Sequence, residues 1–150
     1  MTANASRRSR GGSASIHGSA AAWAGRGILL LGDPGSGKSV LLAQLLAAGA
    51  YLVADDLVRL EERGGTLYAR PAGATGLIEV RANGIFRVAT TVGVPVNLCV
   101  ELTAASGNER LPERTVTRVA GADLPVLRVG DRGAEAIGQI LLALWALRTE

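Results

Sequence analysis

Residues 30–39 read Leu30-Leu31-Gly32-Asp33-Pro34-Gly35-Ser36-Gly37-Lys38-Ser39. From Gly32 to Ser39 the pattern is G-x-x-x-x-G-K-S, the phosphate-binding loop, preceded by the apolar run Gly27 to Leu31 and followed by a helical pattern. Glycines at these positions let successive backbone N–H groups turn inward into an anion nest. The helix that follows adds the positive end of its dipole. Lys38 is placed to reach β- and γ-phosphates, and the Ser39 hydroxyl to ligate Mg²⁺. Of the 16 Lys and Arg residues, Lys38 is the only lysine. A compact ammonium stands where a point charge suits a phosphate, and Arg serves everywhere else. Gly32, Asp33, Pro34, Gly35, Ser36, Gly37, Lys38 and Ser39 are therefore the expected ATP-binding residues.

Downstream, Val40, Leu41, Leu42, Leu45, Leu46 and Ala47 mark a helical apolar face, and Gly49 suits the residue just past its end. Tyr51 to Ala54 reads as a second buried strand that ends in Asp55-Asp56, completing a βαβ-like unit. In α/β sheets this strand end faces the ligand crevice. One Asp there can serve a metal and the other can take a proton, and adjacent carboxylates raise each other's pKa. Upstream, Ser13 to Trp23 reads as a pair of edge strands around Ile16-His17-Gly18 and Ala20 to Trp23, with a turn at Gly25-Arg26-Gly27. His17 is the only histidine.

The rest of the chain is rich in strands. Leu57 to Leu60 and Thr66 to Arg70 flank Arg63-Gly64-Gly65, a hairpin signal. Leu77 to Arg81 and Ile85 to Val88 flank Ala82-Asn83-Gly84, and Glu79 is either outward-facing by alternation or a metal ligand. Val96 to Leu102, Thr115 to Val119 and Val126 to Val129 read as further strands. Ala134 to Arg148 reads as a closing helix with Ile137, Ile140, Leu141, Leu144 and Leu147 on one side. The fold class expected is α/β, containing a phosphate loop and strand-rich, with one phosphate-loop helix and one C-terminal helix. Residues 1–12 read as a disordered basic tail and 13–150 as a single catalytic domain.

The totals narrow the function. At 150 residues and 48% hydrophobic, the chain can bury an aliphatic core without staples. Aromatics make up 3%, too few for base-stacking platforms, so no nucleic-acid partner is expected. No apolar run approaches membrane-spanning length, and no membrane partner is expected. Cys99 alone excludes an internal disulfide and fits a reducing compartment. The arginines near the N-terminus lack the apolar stretch of a secretory signal. A cytoplasmic protein is expected.

These residues together resemble the catalytic domain of HPr kinase/phosphorylase, from about Ile16 to about Pro112 and more loosely to the end. The matching pieces are His17-Gly18 placed 15 residues before Gly32, the loop GDPGSGKS, LVADD at 52–56, and LIEVRANGIFRV at 77–88. The last is similar to the family signature, with Ala82-Asn83 where the family has Gly-Leu. The resemblance implies a core like that of phosphoenolpyruvate carboxykinase, in the short form without the family's N-terminal domain. It implies an ATP- and Mg²⁺-dependent kinase acting on a serine of the phosphocarrier HPr. It also implies reversal by phosphorolysis, in which inorganic phosphate gives pyrophosphate, and assembly as a hexamer. By the same resemblance, Asp56 is the base, Lys38 binds β/γ-phosphates, and Ser39 and Glu79 ligate Mg²⁺ with Asp55 nearby. His17 contacts the transferred phosphate or the base, and Arg110 resembles the catalytic arginine. Two other readings share the loop: a kinase for a small molecule, marked by a compact anionic pocket beside Asp56, and a non-catalytic nucleotide sensor.

Overall fold

Three layers stack around the strand that leads into the phosphate loop. The computed structural model describes residues 13–80, 82–103, 115–130 and 134–148. Residues 1–12, expected to form the basic tail, lie outside the described residues, as does Arg110. The elements run β1 (Ser13–His17), β2 (Ser19–Trp23), β3 (Arg26–Leu31), α1 (Lys38–Ala47), β4 (Tyr51–Ala54), β5 (Leu57–Arg63) and β6 (Thr66–Pro71). They continue with β7 (Leu77–Val80), β8 (Gly84–Arg87), β9 (Val94–Leu102), β10 (Thr115–Val119), β11 (Ala122–Val129) and α2 (Ala134–Arg148).

The middle layer is a mixed sheet in the order β4-β2-β3-β9-β11-β10. Strand β3 lies parallel to β9, and β9 parallel to β11, while β2 runs antiparallel to both β3 and β4. Alternation along β3 sends Ile28 and Leu30 to one face and Leu29 to the other, all three fully buried. A strand covered on both faces reads as a continuous apolar run, as Gly27 to Leu31 does. On the first face Ile28, Leu30, Val100 and Ala21 pack against Leu41, Leu42 and Leu45 of α1, Ile140 and Leu144 of α2, and Ile78 of β7. On the second face Leu29, Val53 and Cys99 meet Val58, Leu60, Leu67 and Ala69 from the antiparallel strands β1-β5-β6. Strand β9 joins the two sheets: Val94 and Pro95 pair with β6 before the strand passes beside β3. The Cys99 side chain is buried, and its backbone is flanked on both sides by paired strands, opposite Leu29 and Val126. Burial, helped by Glu101 and opposed by Arg128, pushes its pKa up to about 12.

Several expectations change. The segment Ala20 to Trp23 is not an edge strand; β2 sits inside the sheet between β3 and β4, with Ala20, Ala21 and Ala22 at 1%, 0% and 3% exposure. Of the two, β1 is the edge strand, and it pairs with β5 rather than with β2. The β3-α1-β4 unit is consequently a split one, with β2 between its two strands. Val40 is 54% exposed and lies off the packed face of α1, as does Ala47. Strand β9 begins at Val94, and β11 begins at Ala122 and runs through Pro125. Residues 122–125 of β11 pair only with β10, so the missing N–H of Pro125 faces no second strand. The Gly64-Gly65 hairpin is as expected, with φ of 59° and 89°. Among the described residues no helix is long and apolar enough to cross a membrane.

Candidate functional site

The C-terminal ends of β3, β4 and β9 and the N-terminal end of antiparallel β2 all lie at one end of the middle sheet. This is the end where ligands bind in open α/β sheets. The loop Gly32–Gly37 leaves β3 there. Gly35 and Gly37 take φ of 85° and 103°, in the left-handed region that favours glycine. The Ser36 N–H donates to the Asp33 carbonyl at 2.9 Å and closes the loop turn. The first helical bond runs from the Leu41 N–H to the Gly37 carbonyl at 3.0 Å. The N–H groups of Lys38, Ser39 and Val40 therefore precede any partner within the helix. No side chain caps α1 and no acid sits in its first turn, so the positive end of the helix is left for a ligand.

Two polar groups mark the inside of the loop. Lys38 Nζ donates to the Gly32 carbonyl at 3.0 Å, so the ammonium folds back over the loop it serves. The Ser36 hydroxyl is buried with no hydrogen-bond partner, and a Cβ on Gly32 would come within 2.5 Å of it. In the motif Ser36 is one loop residue among eight, and its place between Gly35 and Gly37 is the feature of the sequence that goes with an inward-turned hydroxyl.

The second wall is the corner between β4 and β5, where Asp55 and Asp56 stand exposed. Partial loss of solvent around Asp55, reinforced by the neighbouring Asp56 charge and opposed by Lys38, raises the Asp55 pKa above its ordinary value. The corner follows β4 at the same sheet end at which the loop follows β3, since both strands run antiparallel to β2. His17, exposed at the end of β1, is opposite Leu57, the residue after Asp56. The next residue, Gly18, donates its N–H to the Asp56 carbonyl at 3.0 Å. The structure thus brings His17, Lys38 and the Asp55-Asp56 pair to one end of the sheet from three segments of the chain.

Glu79 comes from a separate unit. The β7–β8 hairpin pairs Glu79 with Ile85 and exposes both, while Ile78 is buried in the cluster that holds Leu41 and Leu45 of α1. The segment after β8 hangs on the free edge of β4, where the Leu52 N–H donates to Ala89 and the Thr91 N–H to Leu52. The hairpin therefore stands beside the phosphate-loop helix, with Glu79 on its open face. Alternation puts Glu79 on the exposed face of the hairpin, opposite the buried Ile78. Among the described residues no three His, Cys, Asp or Glu side chains gather as a metal cage.

Comparison with known proteins agrees with this architecture. Residues 11–130 match the family model described as HPr Serine kinase C-terminal domain. An HPr kinase/phosphorylase of Clostridium beijerinckii is 39% identical over 80 residues, covering 53% of this chain and 26% of that protein. One from Aromatoleum aromaticum is 34% identical over 128 residues, covering 76% of this chain and 40% of that protein. The chain thus spans between a quarter and two-fifths of the length of these relatives. The solved structure of the Hpr(Ser) kinase/phosphatase from Coxiella burnetii superposes with a TM-score of 0.76 at 22% identity, covering 91% of each chain. That likeness is one of fold.

Proposed function

Because this chain belongs to the HPr serine kinase C-terminal domain family, we propose that it is an ATP- and Mg²⁺-dependent kinase for a serine of an HPr-type phosphocarrier. The observation that carries the reading is the meeting of the Lys38 loop with the His17–Asp55–Asp56 corner at one sheet end. Neither feature alone specifies a kinase; an anion nest facing a carboxylate pair is what phosphoryl transfer to a hydroxyl requires.

In this reading the backbone of residues 32–39 and the Lys38 ammonium hold the β- and γ-phosphates of ATP. Asp56 takes the proton of the serine hydroxyl as that oxygen bonds to the γ-phosphorus, and the bond to ADP breaks. Asp55, whose pKa is raised by partial burial and then by its neighbour Asp56, stays beside the base. His17 lies against the transferred group or the base. Ser39 and Glu79 are the residues that would hold Mg²⁺, which when bound neutralises phosphate charge. Arg110 adds positive charge for the transition state. Run backward, inorganic phosphate attacks the phosphoserine, pyrophosphate is released, and Asp56 returns the proton.

Intact-mass spectrometry tests the reading. A purified HPr-type carrier incubated with this protein, ATP and Mg²⁺ gains one phosphate on a serine, and gains none with Lys38→Ala. Phosphorylated carrier given inorganic phosphate loses the group as pyrophosphate forms. A carrier of unchanged mass, with ATP still bound by the protein, overturns the proposal in favour of a small-molecule acceptor.

A further inference from the structure

Gly18 is the point at which three segments touch. It forms the corner between β1 and β2, its N–H holds the Asp56 carbonyl at 3.0 Å, and it lies against the exit of β3. A Cβ at Gly18 would stand 2.9 Å from the Leu30 carbonyl oxygen and 2.9 Å from Leu31 Cδ2. One of those neighbours is backbone and cannot yield cheaply. The residue is also buried, so a side chain has no outward path.

Asp56 itself is held in an unusual shape. Its φ is 95°. The other described non-glycine residues with positive φ are Ala24, Ala82 and Ala120, at 53°, 69° and 48°, close to the left-handed helical well. Asp56 lies well beyond it, where a β-carbon is strained, and such strain persists only when surrounding structure over-determines it. The Gly18 N–H is one bond that does so. Leu30 and Leu31 lead directly into the phosphate loop, so the thickness of residue 18 fixes how close Asp56 sits to that loop.

We propose that Gly18 is a positioning residue, whose bare α-carbon sets the spacing between the phosphate loop and Asp56 and whose N–H holds Asp56 in its strained conformation. The proposal rests on the kinase reading for its consequence and on the geometry above for its substance. A side chain at position 18 pushes the β1–β2 corner off the end of β3 and carries Asp56 with it. The loop keeps its own turn and its nucleotide contacts.

A double-mutant cycle tests this with the carrier assay: wild type, Gly18→Ala, Asp56→Asn and the double variant. Gly18→Ala lowers kcat on the order of 10–100-fold, as a small misplacement of a reacting group does, with the Kd for ATP unchanged. In the Asp56→Asn background the same substitution lowers kcat no further, within about twofold. Losses that multiply, or an ATP affinity that falls along with kcat, overturn the proposal, because Gly18 then acts on the fold or the loop and not through Asp56. A second comparison works even if Gly18→Ala does not fold. Asp56→Gly melts at a higher temperature than Asp56→Ala, since only glycine accepts that φ freely; equal midpoints overturn the claim that the corner is strained. Wild-type protein that phosphorylates no carrier counts against the kinase reading, and the melting comparison then decides the corner by itself.

Discussion

The phosphate loop and the Asp55–Asp56 corner face each other across one sheet end and reach left-handed backbone by opposite means. The loop uses glycine, at Gly35 and Gly37. The corner uses an aspartate at φ 95°. At the loop the ligand is met by backbone N–H groups, so a missing side chain is an advantage. At the corner the side chain is what the chemistry needs, and its neighbours must hold it in place. The loop's conformation is consequently local and motif-like, whereas the corner's depends on contacts from β1, β2 and β3.

Four substitutions break or sharpen that contrast. Lys38→Ala removes the one cationic side chain of the loop; phosphoryl transfer to the carrier is abolished while the melting temperature barely moves, measured by mass spectrometry and calorimetry side by side. Asp56→Asn keeps ATP binding but loses roughly 10²–10⁴-fold in turnover, the usual worth of a positioned base; steady-state kinetics with a nucleotide titration separates the two. Gly37→Ala forces a β-carbon into φ 103°, a strain of about 1–3 kcal/mol, and lowers both the melting temperature and the affinity for ATP.

The smallest effect is expected at Asp55. Its folded-state pKa lies above its ordinary value of 3.8, so the native state binds the proton more tightly than the unfolded state does. Stability therefore falls as pH rises from about 3.8 through the raised pKa, and stays lower above it. Asp55→Asn removes that fall. The variant melts slightly above wild type at neutral pH and level with it in acid, and a wild-type midpoint independent of pH across this window would remove Asp56 and desolvation as the cause.

The same contrast explains what the sequence made legible. The loop could be read because its geometry is encoded in adjacent residues, and so could the Gly64-Gly65 turn. The Asp55-Asp56 pair was legible as two carboxylates at a strand end but not in its conformation, since Gly18 lies 38 residues upstream of Asp56 and only the fold joins them. Strand β2 was misjudged because Ala20 to Ala22 carry little hydrophobic signal. Their small size is what lets α1 and the β5–β6 layer close on both faces of the sheet. Pro125 concealed the first half of β11, since the sequence does not reveal that this half has a partner on one flank only. Val40 fitted a helical face by spacing, yet stands on the outer side of α1 near its open end.

Cys99 gives the molecule a built-in reporter. It sits mid-strand in β9, hydrogen-bonded on both flanks and sealed from both layers, with its thiolate suppressed until pH approaches about 12. A thiol-specific reagent at neutral pH reaches it only when the sheet comes apart there. The rate of single-site labelling is thus a stopwatch for rupture of the central strand. Any nucleotide that binds the native loop should lengthen the time on that stopwatch when labelling proceeds through global unfolding.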